Sequence, residues 1–161
     1  MQAKVTWQKE LQFIGVAEGG FPLKLDSHPG PESGVSPMEM VALALAGCTA
    51  MDVISILEKK QMQVTGFEVK VDADRSADHP KRFIKAVLEY VVHGHGVDEA
   101  ALRRAIELSV TKYCSVHATL KDSFPIASPT RFMKAINWLR KAPSNINCYR
   151  LLQTKHASHL I

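Results

Sequence analysis

The chain has 161 residues, of which 46% are hydrophobic and 22% charged, a composition typical of a globular protein long enough to bury one core. Three cysteines are too few for a disulfide framework, which excludes the small secreted class and predicts a reducing, cytoplasmic location. All 16 acidic residues lie at or before Asp122, so the net charge of +4 comes from the tail, and the body lacks the basic surface of a nucleic-acid binder.

Three short strands are predicted in the first 26 residues. Val5 and Trp7 alternate with polar neighbours, and residues 13–16 form a second apolar piece. Gly19-Gly20 supplies a tight turn before residues 21–26, in which apolar and charged side chains alternate. The pattern indicates an antiparallel meander, followed by a loop rich in glycine and proline.

The clearest local signal is the start of a helix. Ser36 is a good N-cap, Pro37 suits the first helical position, and Glu39 completes a capping box. We expect this helix to run to about Lys60 and, because its middle is apolar on every face, to be buried all round. No export signal is visible, and the apolar run before Asp52 is too short to span a bilayer, so no membrane partner is expected.

A hairpin and a second helix are predicted next. Residues 67–74 alternate between apolar and charged side chains, and residues 83–93 form a longer strand after a turn at Asp78-His79-Pro80. Asp98 can cap a helix that continues to about Lys112. With a further strand beginning near Val116 and running to Leu120, the order βββ-α-ββ-α-β predicts the α+β fold class.

Two cysteines lie in unlike settings. Cys48 is inside an almost unbroken apolar run, and Cys114 follows the second predicted helix. A thiol in an apolar helix and a second thiol brought near it by the fold are the minimum requirement for dithiol redox chemistry. Buried cysteines are also common as inert packing, and the residues alone leave both interpretations open.

Four pieces of sequence carry a family resemblance: Ser36-Pro37-Met38-Glu39, Ala46-Gly47-Cys48, the hairpin around His79-Pro80, and Tyr113-Cys114-Ser115-Val116. In this order and at this separation they resemble the OsmC/Ohr family, the osmotically inducible and organic-hydroperoxide-resistance proteins. The sequence around Cys48 is closest to a less characterised subgroup. The resemblance predicts an OsmC/Ohr-like domain over residues 1–127.

This resemblance implies antiparallel sheets wrapped around two long central helices in an intertwined homodimer, with active sites at the subunit interface. It also implies a thiol-dependent peroxidase, an organic hydroperoxide reductase used in oxidative stress defence. Cys48 would form a sulfenic acid and Cys114 would resolve it as a Cys48–Cys114 disulfide. An external dithiol reductant would restore both thiols, and no bound cofactor or metal is expected.

The family's activating arginine and its glutamate partner have no match, because no arginine precedes Arg75 and Met38 follows Pro37. Possible supporting residues are Lys24, Glu39, Asp52 and His117. Glu39 lies about half a turn away from Cys48 on the helix, which favours the capping role. Asp52 is on the same face as Cys48, where a carboxylate disfavours a thiolate, so Lys24 and His117 are the candidate cations.

Three alternatives remain. His93 and His95, with His117, suggest a metal site, although a glycine-separated pair at a hairpin end is more typical of a turn. A non-catalytic dimeric module would use the same fold to bind a small lipophilic ligand at the subunit interface. The basic tail, residues 128–161, contains Cys148 and is either an amphipathic helix capped at Ser128, which packs on the dimer or binds an acidic partner, or a non-native extension.

Overall fold

The structure is a computed structural model that describes residues 1–28 and 33–132. A π-helical turn, Ser109–Tyr113, joins the second and third helices. The elements in chain order are β1 Ala3–Lys9, β2 Gln12–Ala17, β3 Pro22–Leu25, α1 Pro37–Lys59, β4 Gln63–Arg75, β5 Phe83–His95, α2 Glu99–Leu108, α3 Ser115–Leu120, β6 Ile126–Ala127 and β7 Thr130–Phe132.

Two sheets confirm the α+β prediction. The first is the antiparallel meander β1-β2-β3, as the alternation in residues 3–25 predicts. The second is built on the long β4–β5 hairpin, in which Val71 pairs with Leu88 and Val69 with Tyr90. β6 and β7 both run parallel to β5 and extend this sheet.

One stripe of α1 packs against the second sheet and α2. Its members recur every four residues, which is the spacing of a single helix face, and all are buried: Leu45, Thr49, Val53 and Leu57. The sheet contributes Leu88, Tyr90 and Val92 to the same core, and α2 contributes Leu102 and Ala105. This packing fixes the position of the middle of α1, where Cys48 lies.

The other faces of α1 are open within a single chain, so the prediction of a helix buried all round is wrong here. Leu43 is 59% exposed and Met51 is 75% exposed. By length and composition alone α1 also passes as a membrane span, contrary to the sequence prediction. Because its buried stripe packs on the sheet and α2 of the same chain, we interpret α1 as a core helix with an unpartnered apolar face.

The three-stranded sheet makes only sparse contact with the rest of the described chain. Every residue of β1 is exposed, and Trp7 and Phe21 are each 62% exposed. A bridge between Leu25 and Val35 ties this sheet to the start of α1. The sheet therefore presents apolar side chains that no other described element covers.

The chain after α2 departs from the sequence prediction. The second helix ends as an α-helix at Leu108 rather than near Lys112, and it continues as the wider π-helical turn. The predicted strand beginning at Val116 is wrong, because this segment forms α3. The sulfur of Cys114 accepts a hydrogen bond from the backbone of His117, which gives α3 a side-chain cap.

The start of the predicted tail is also different. Residues Thr130–Phe132 form β7, where the sequence allowed a helix beginning after Ser128. β7 pairs with β5, so the second sheet continues beyond the predicted boundary at residue 127. Residues 133–161, including Cys148, lie outside the described residues.

Candidate active site

Three predicted site residues meet between α1 and the end of the π-helical turn. A sulfur or carboxylate oxygen from each of Cys48, Asp52 and Cys114 lies within 4.8 Å of the others. Cys48 and Asp52 stand one helical turn apart on α1, and Cys114 directly follows the π-helical turn. Cys48 is half-buried, whereas Cys114 is only 2% exposed.

The environment of Cys114 keeps its thiol protonated. Burial, reinforced by a hydrogen bond with Cys48, raises the pKa of Cys114 to about 12, and the negative charge of Asp52 acts in the same direction. The amide of His117, 3.3 Å from the sulfur, opposes the rise. At neutral pH Cys114 therefore keeps its proton, which is available for the hydrogen bond with Cys48.

A chain of buried hydroxyls connects Asp52 to the core. The Ser109 hydroxyl donates to the Asp52 carboxylate at 2.9 Å, and it is also 2.9 Å from the Thr49 hydroxyl. Thr49 in turn lies 2.8 Å from the hydroxyl of Tyr90. At most 1% of each of Ser109, Thr49 and Tyr90 is exposed, so all three hydroxyls depend on one another for hydrogen bonds.

The carboxylate fixes the direction of this chain. An ionised Asp52 only accepts, so the single proton of Ser109 is committed to it. The Ser109 oxygen must then accept from Thr49, and the Thr49 oxygen from Tyr90. The Ser128 hydroxyl bonds to Tyr90 at the far end, and burial raises the pKa of Tyr90, which keeps its proton in place as a donor.

Ser109, Thr49 and Tyr90 belong to the site although the sequence did not predict them as site residues. A signal was present, because Ser109 falls on the buried face of the second helix and Thr49 follows Cys48 inside the apolar run. A polar side chain at a buried position needs a hydrogen-bond partner. Sequence spacing does not identify the partner, since Thr49 and Ser109 are 60 positions apart.

The proposed supporting residues divide into two groups. Asp52 is at the site, but Glu39 bonds to Ser36 in the predicted capping box, which is confirmed. Glu39 lines a cleft with Arg75 that contains neither cysteine, and the backbone amide of Ser36 lowers its pKa. Lys24 lies on β3 and lines another cleft without a cysteine. Among the described residues, neither of these two clefts is lined by Cys48 or Cys114.

His117 is close to Cys114 through its backbone rather than its ring. Burial lowers the pKa of His117, and the charge of Lys121 lowers it further, so the neutral imidazole is favoured at neutral pH. Its buried Nδ1 has no hydrogen-bond partner among the described residues. This argues against the expectation that His117 supplies the positive charge beside the thiols.

The arginines with described side chains all have partners away from the cysteines. Arg75 and Arg82 donate to the backbone carbonyls of Lys81 and Ser123. Arg103 and Arg104 form ion pairs with glutamates of their own helix. The lack of an arginine before Arg75 is therefore not compensated by another described arginine of the same chain.

A cleft of about 390 Å³ is lined in part by Asp52 and by neither cysteine. Its apolar lining is Ile56, Leu108 and Tyr113, and Lys59 and Lys60 also line it. These two lysines therefore lie in one cleft with the Asp52 carboxylate. The arrangement suits a small molecule with an apolar body.

The spacing of Cys48, Asp52 and Cys114 would admit a thiophilic cation such as Zn²⁺. We do not assign them as metal ligands, because the two sulfurs hydrogen-bond to each other and the described chain adds no fourth ligand to the group. Among the described residues the suggested site of His93, His95 and His117 is not formed either, because these three side chains do not come close enough together to share an ion. His93 lies opposite Gly66 in the hairpin, and His95 pairs with Gln63.

Comparison with known proteins agrees with this fold. Residues 30–128 match the family described as OsmC-like protein. Protein YhfA of Escherichia coli (strain K12) is 40% identical over 126 residues, which cover 78% of this chain and 93% of YhfA. A match of this extent establishes the family and not the reaction.

Solved structures support the same fold. A hypothetical protein from Aquifex aeolicus VF5 is 28% identical with a TM-score of 0.75, over 84% of this chain and 97% of that one. An organic hydroperoxide resistance protein OsmC from Legionella pneumophila is 15% identical with a TM-score of 0.57, over 80% and 94%. At that identity the second likeness shows the fold alone.

Proposed function

The chain belongs to the OsmC-like protein family, and we propose that it is a thiol-dependent peroxidase that reduces organic hydroperoxides. The proposal depends on the meeting of Cys48 and Cys114, whose sulfurs lie within 4.8 Å and hydrogen-bond to each other. Family membership supports a general redox or peroxidase role. The description of the Legionella neighbour as an organic hydroperoxide resistance protein supports this class of substrate.

The reaction takes two steps and needs no bound cofactor. In the first, the Cys48 sulfur attacks the terminal peroxide oxygen, the O–O bond breaks, and Cys48 sulfenic acid and an alcohol are formed. In the second, the Cys114 sulfur attacks that of Cys48, an S–S bond forms, and water leaves. An external dithiol then reduces the disulfide by exchange and is itself oxidised.

Burial and hydrogen bonding support this division of roles. Cys48 is half-buried and can meet a substrate, whereas Cys114 is 2% exposed. Cys114 also has a raised pKa of about 12, so its thiol does not compete as a nucleophile at neutral pH. The Cys114 sulfur has an electrophile to attack only after Cys48 has been oxidised to a sulfenic acid beside it.

We also propose that the protein acts as a homodimer in the reducing cytoplasm. In the part of the chain that the structure describes, large apolar side chains are exposed on one face of α1, marked by Leu43 and Met51, and on the β1-β2-β3 sheet. A second copy would cover both, as large apolar patches on soluble proteins usually require. The cleft that Asp52 lines contains neither cysteine, but Asp52 lies one turn of α1 from Cys48, and the apolar lining favours an apolar organic hydroperoxide over a small hydrated peroxide.

Mass spectrometry of the reduced protein tests the reaction. After treatment with tert-butyl hydroperoxide we expect a Cys48–Cys114 disulfide, and in Cys114→Ser a Cys48 sulfenic acid that dimedone traps. Cys148→Ser is the matched control and should behave as the parent does. If no such disulfide forms, and Cys48→Ser consumes the hydroperoxide as fast as the parent, the peroxidase proposal is wrong.

The second candidate function is a non-catalytic module that binds a small lipophilic ligand. The cleft of about 390 Å³ lined by Ile56, Leu108 and Tyr113 favours it. Binding stabilises the folded state by mass action, so a ligand would raise the melting temperature. Protection by a ligand that is unchanged in Cys48→Ser, together with no reaction of the parent with hydroperoxide, would support this alternative.

A further inference from the structure

We propose that Asp52 transfers the proton in the thiol–hydroperoxide reaction, and that the hydroxyls of Ser109, Thr49 and Tyr90 hold its carboxylate in position for this task. The inference rests on the proposed function and assigns the acid–base step to a residue of this chain. Its basis is that one carboxylate lies within 4.8 Å of both sulfurs and at the end of a buried hydrogen-bond chain.

Asp52 retains capacity for the thiol proton. A carboxylate has two oxygens and about four acceptor positions, and Ser109 occupies one position on Oδ2. The distance of up to 4.8 Å to the sulfurs is within reach of one bridging water or of a bound peroxide oxygen. Proton transfer in either direction between Asp52 and the reacting atoms therefore requires no movement of α1.

The first reaction step balances with one proton. The Cys48 thiol gives its proton to Asp52, and the sulfur electron pair forms an S–O bond with the terminal peroxide oxygen. The O–O bond breaks, and the alkoxide that leaves takes the proton from Asp52. Sulfur loses two electrons, the peroxide gains two, and Asp52 returns to its ionised form with an alcohol as the product.

The second step uses the same carboxylate. Cys114 must lose a proton to attack the Cys48 sulfenic acid, and its surroundings hold that proton tightly. Asp52 is within 4.8 Å of this sulfur too, so it can accept the proton as the S–S bond forms. The proton then joins the departing hydroxide as water, and the carboxylate is again free.

The hydroxyl chain fixes the carboxylate before the substrate arrives. Tyr90, Thr49 and Ser109 come from β5, α1 and the π-helical turn, so three elements converge on Asp52. Each hydroxyl donates toward the carboxylate, and aligned hydrogen bonds strengthen one another in a buried setting. A π-helical turn is a rare feature that often occurs at functional sites, and here it contains Ser109.

Other titratable groups face Asp52 and bear on its pH dependence. α1 contributes Cys48, and Lys59 and Lys60 line the same cleft. The segment after α2 contributes Tyr113 and Cys114, and β5 contributes Tyr90. The pH dependence of the hydroperoxide reduction rate in the parent reflects the titration of several groups. It must therefore be compared between variants that differ in a single hydroxyl or carboxylate.

Two reagents applied to Asp52→Asn in the full-length protein test the inference. Oxidation of Cys48 by tert-butyl hydroperoxide needs a proton for the leaving group, and we expect it to slow by about 10²-fold or more. Alkylation of Cys48 by iodoacetamide also requires loss of the thiol proton, but its leaving iodide needs no proton, so we expect alkylation to slow less than oxidation does. If the two rates fall by the same factor, or if neither changes, Asp52 does not return a proton to the leaving group and the proposal is wrong.

The pair Thr49→Val and Thr49→Ser tests the positioning chain. Valine keeps the shape without the hydroxyl, whereas serine keeps the hydroxyl. We expect Thr49→Val to slow hydroperoxide reduction several-fold and to shift its pH profile, and Thr49→Ser to restore both. Equal rates and profiles for the two variants would mean that the hydroxyl only serves the core.

The two proposals can fail separately. If the parent does not react with tert-butyl hydroperoxide, the peroxidase function and this inference both fail. If the parent reacts and Asp52→Asn reacts equally fast, only the role of Asp52 is wrong. Ser109→Ala, which removes the direct donor to Asp52, gives a second test should Asp52→Asn not fold.

Discussion

The sulfur of Cys114 accepts a hydrogen bond from the backbone amide of His117 at 3.3 Å, so the cysteine proposed as the resolving thiol is also the cap of α3. The same thiol makes a hydrogen bond with Cys48, and its sulfur lies within 4.8 Å of the Asp52 carboxylate. Local helix structure and the geometry of the site therefore depend on one atom. Substitutions of Cys114 should therefore be tested both for the free energy of unfolding and for the rate of reaction with hydroperoxide.

The stability of the reduced protein should fall at high pH. The folded state holds the Cys114 proton more tightly than an unfolded chain, with a pKa of about 12 against 9.0. The resulting stabilisation is complete below pH 9 and is lost as pH rises to about 12. Urea denaturation across this range measures it. Cys114→Ala should show a smaller slope with pH, and equal slopes would contradict the raised pKa.

The capping box should contribute to stability and not to chemistry. We expect Ser36→Ala to lower the free energy of unfolding by about 1 kcal/mol, because it leaves an amide of the first turn unpaired. Glu39→Gln should have a smaller effect. Denaturation measures the loss, with the exposed Ser123→Ala as a neutral control. A large loss of hydroperoxide reduction in Glu39→Gln at unchanged stability would instead give Glu39 a catalytic role.

Association of two copies should depend on the exposed face of α1. Met51 is 75% exposed in one chain, and a charge at that position would be buried by a partner without a counter-ion. We therefore expect Met51→Glu to be monomeric and Met51→Leu to remain dimeric. Light scattering after size exclusion measures the mass. A monomeric parent, or a dimeric Met51→Glu, would rule out this face as the interface.

The end of the folded domain should lie beyond residue 127. β7 pairs with β5 through Thr130–Phe132, and Ser128 bonds to the Tyr90 hydroxyl. We expect a chain ending at residue 132 to melt like the full-length protein and one ending at residue 127 to melt lower. Thermal denaturation of both measures the difference. Equal melting temperatures would show that the last strand and Ser128 contribute nothing.

Local signals predicted much of the fold. The capping box at Ser36 located α1 to within a residue, and period-two alternation located β4 and β5. Both signals are properties of neighbouring residues and need no tertiary information. The pair of cysteine motifs predicted that Cys48 and Cys114 would meet, and the structure brings them together.

Tertiary contacts decided what the sequence did not predict. The segment beginning at Val116 is a helix because the Cys114 sulfur caps it, and that sulfur is held in place by its burial against α1. The hydroxyl chain joins Thr49, Tyr90 and Ser109, which are far apart in sequence. The exposure of Leu43 could not be predicted either, since the hydropathy of a helix does not reveal which chain covers it.

Cys48 and Cys114 flank a segment of the chain that contains β4, β5 and α2. A disulfide between them would therefore change the stability of the protein as well as complete the proposed reaction. A covalent link at these points would close a loop of some 66 residues and restrict the unfolded chain, a stabilisation of about 4 kcal/mol on the chain-entropy estimate. Each catalytic cycle would then alternate between a reduced form with a lower free energy of unfolding and an oxidised form with a higher one. The oxidised form should therefore unfold at a higher denaturant concentration than the reduced form. In each cycle the external dithiol would have to reduce the disulfide that provides this extra stability.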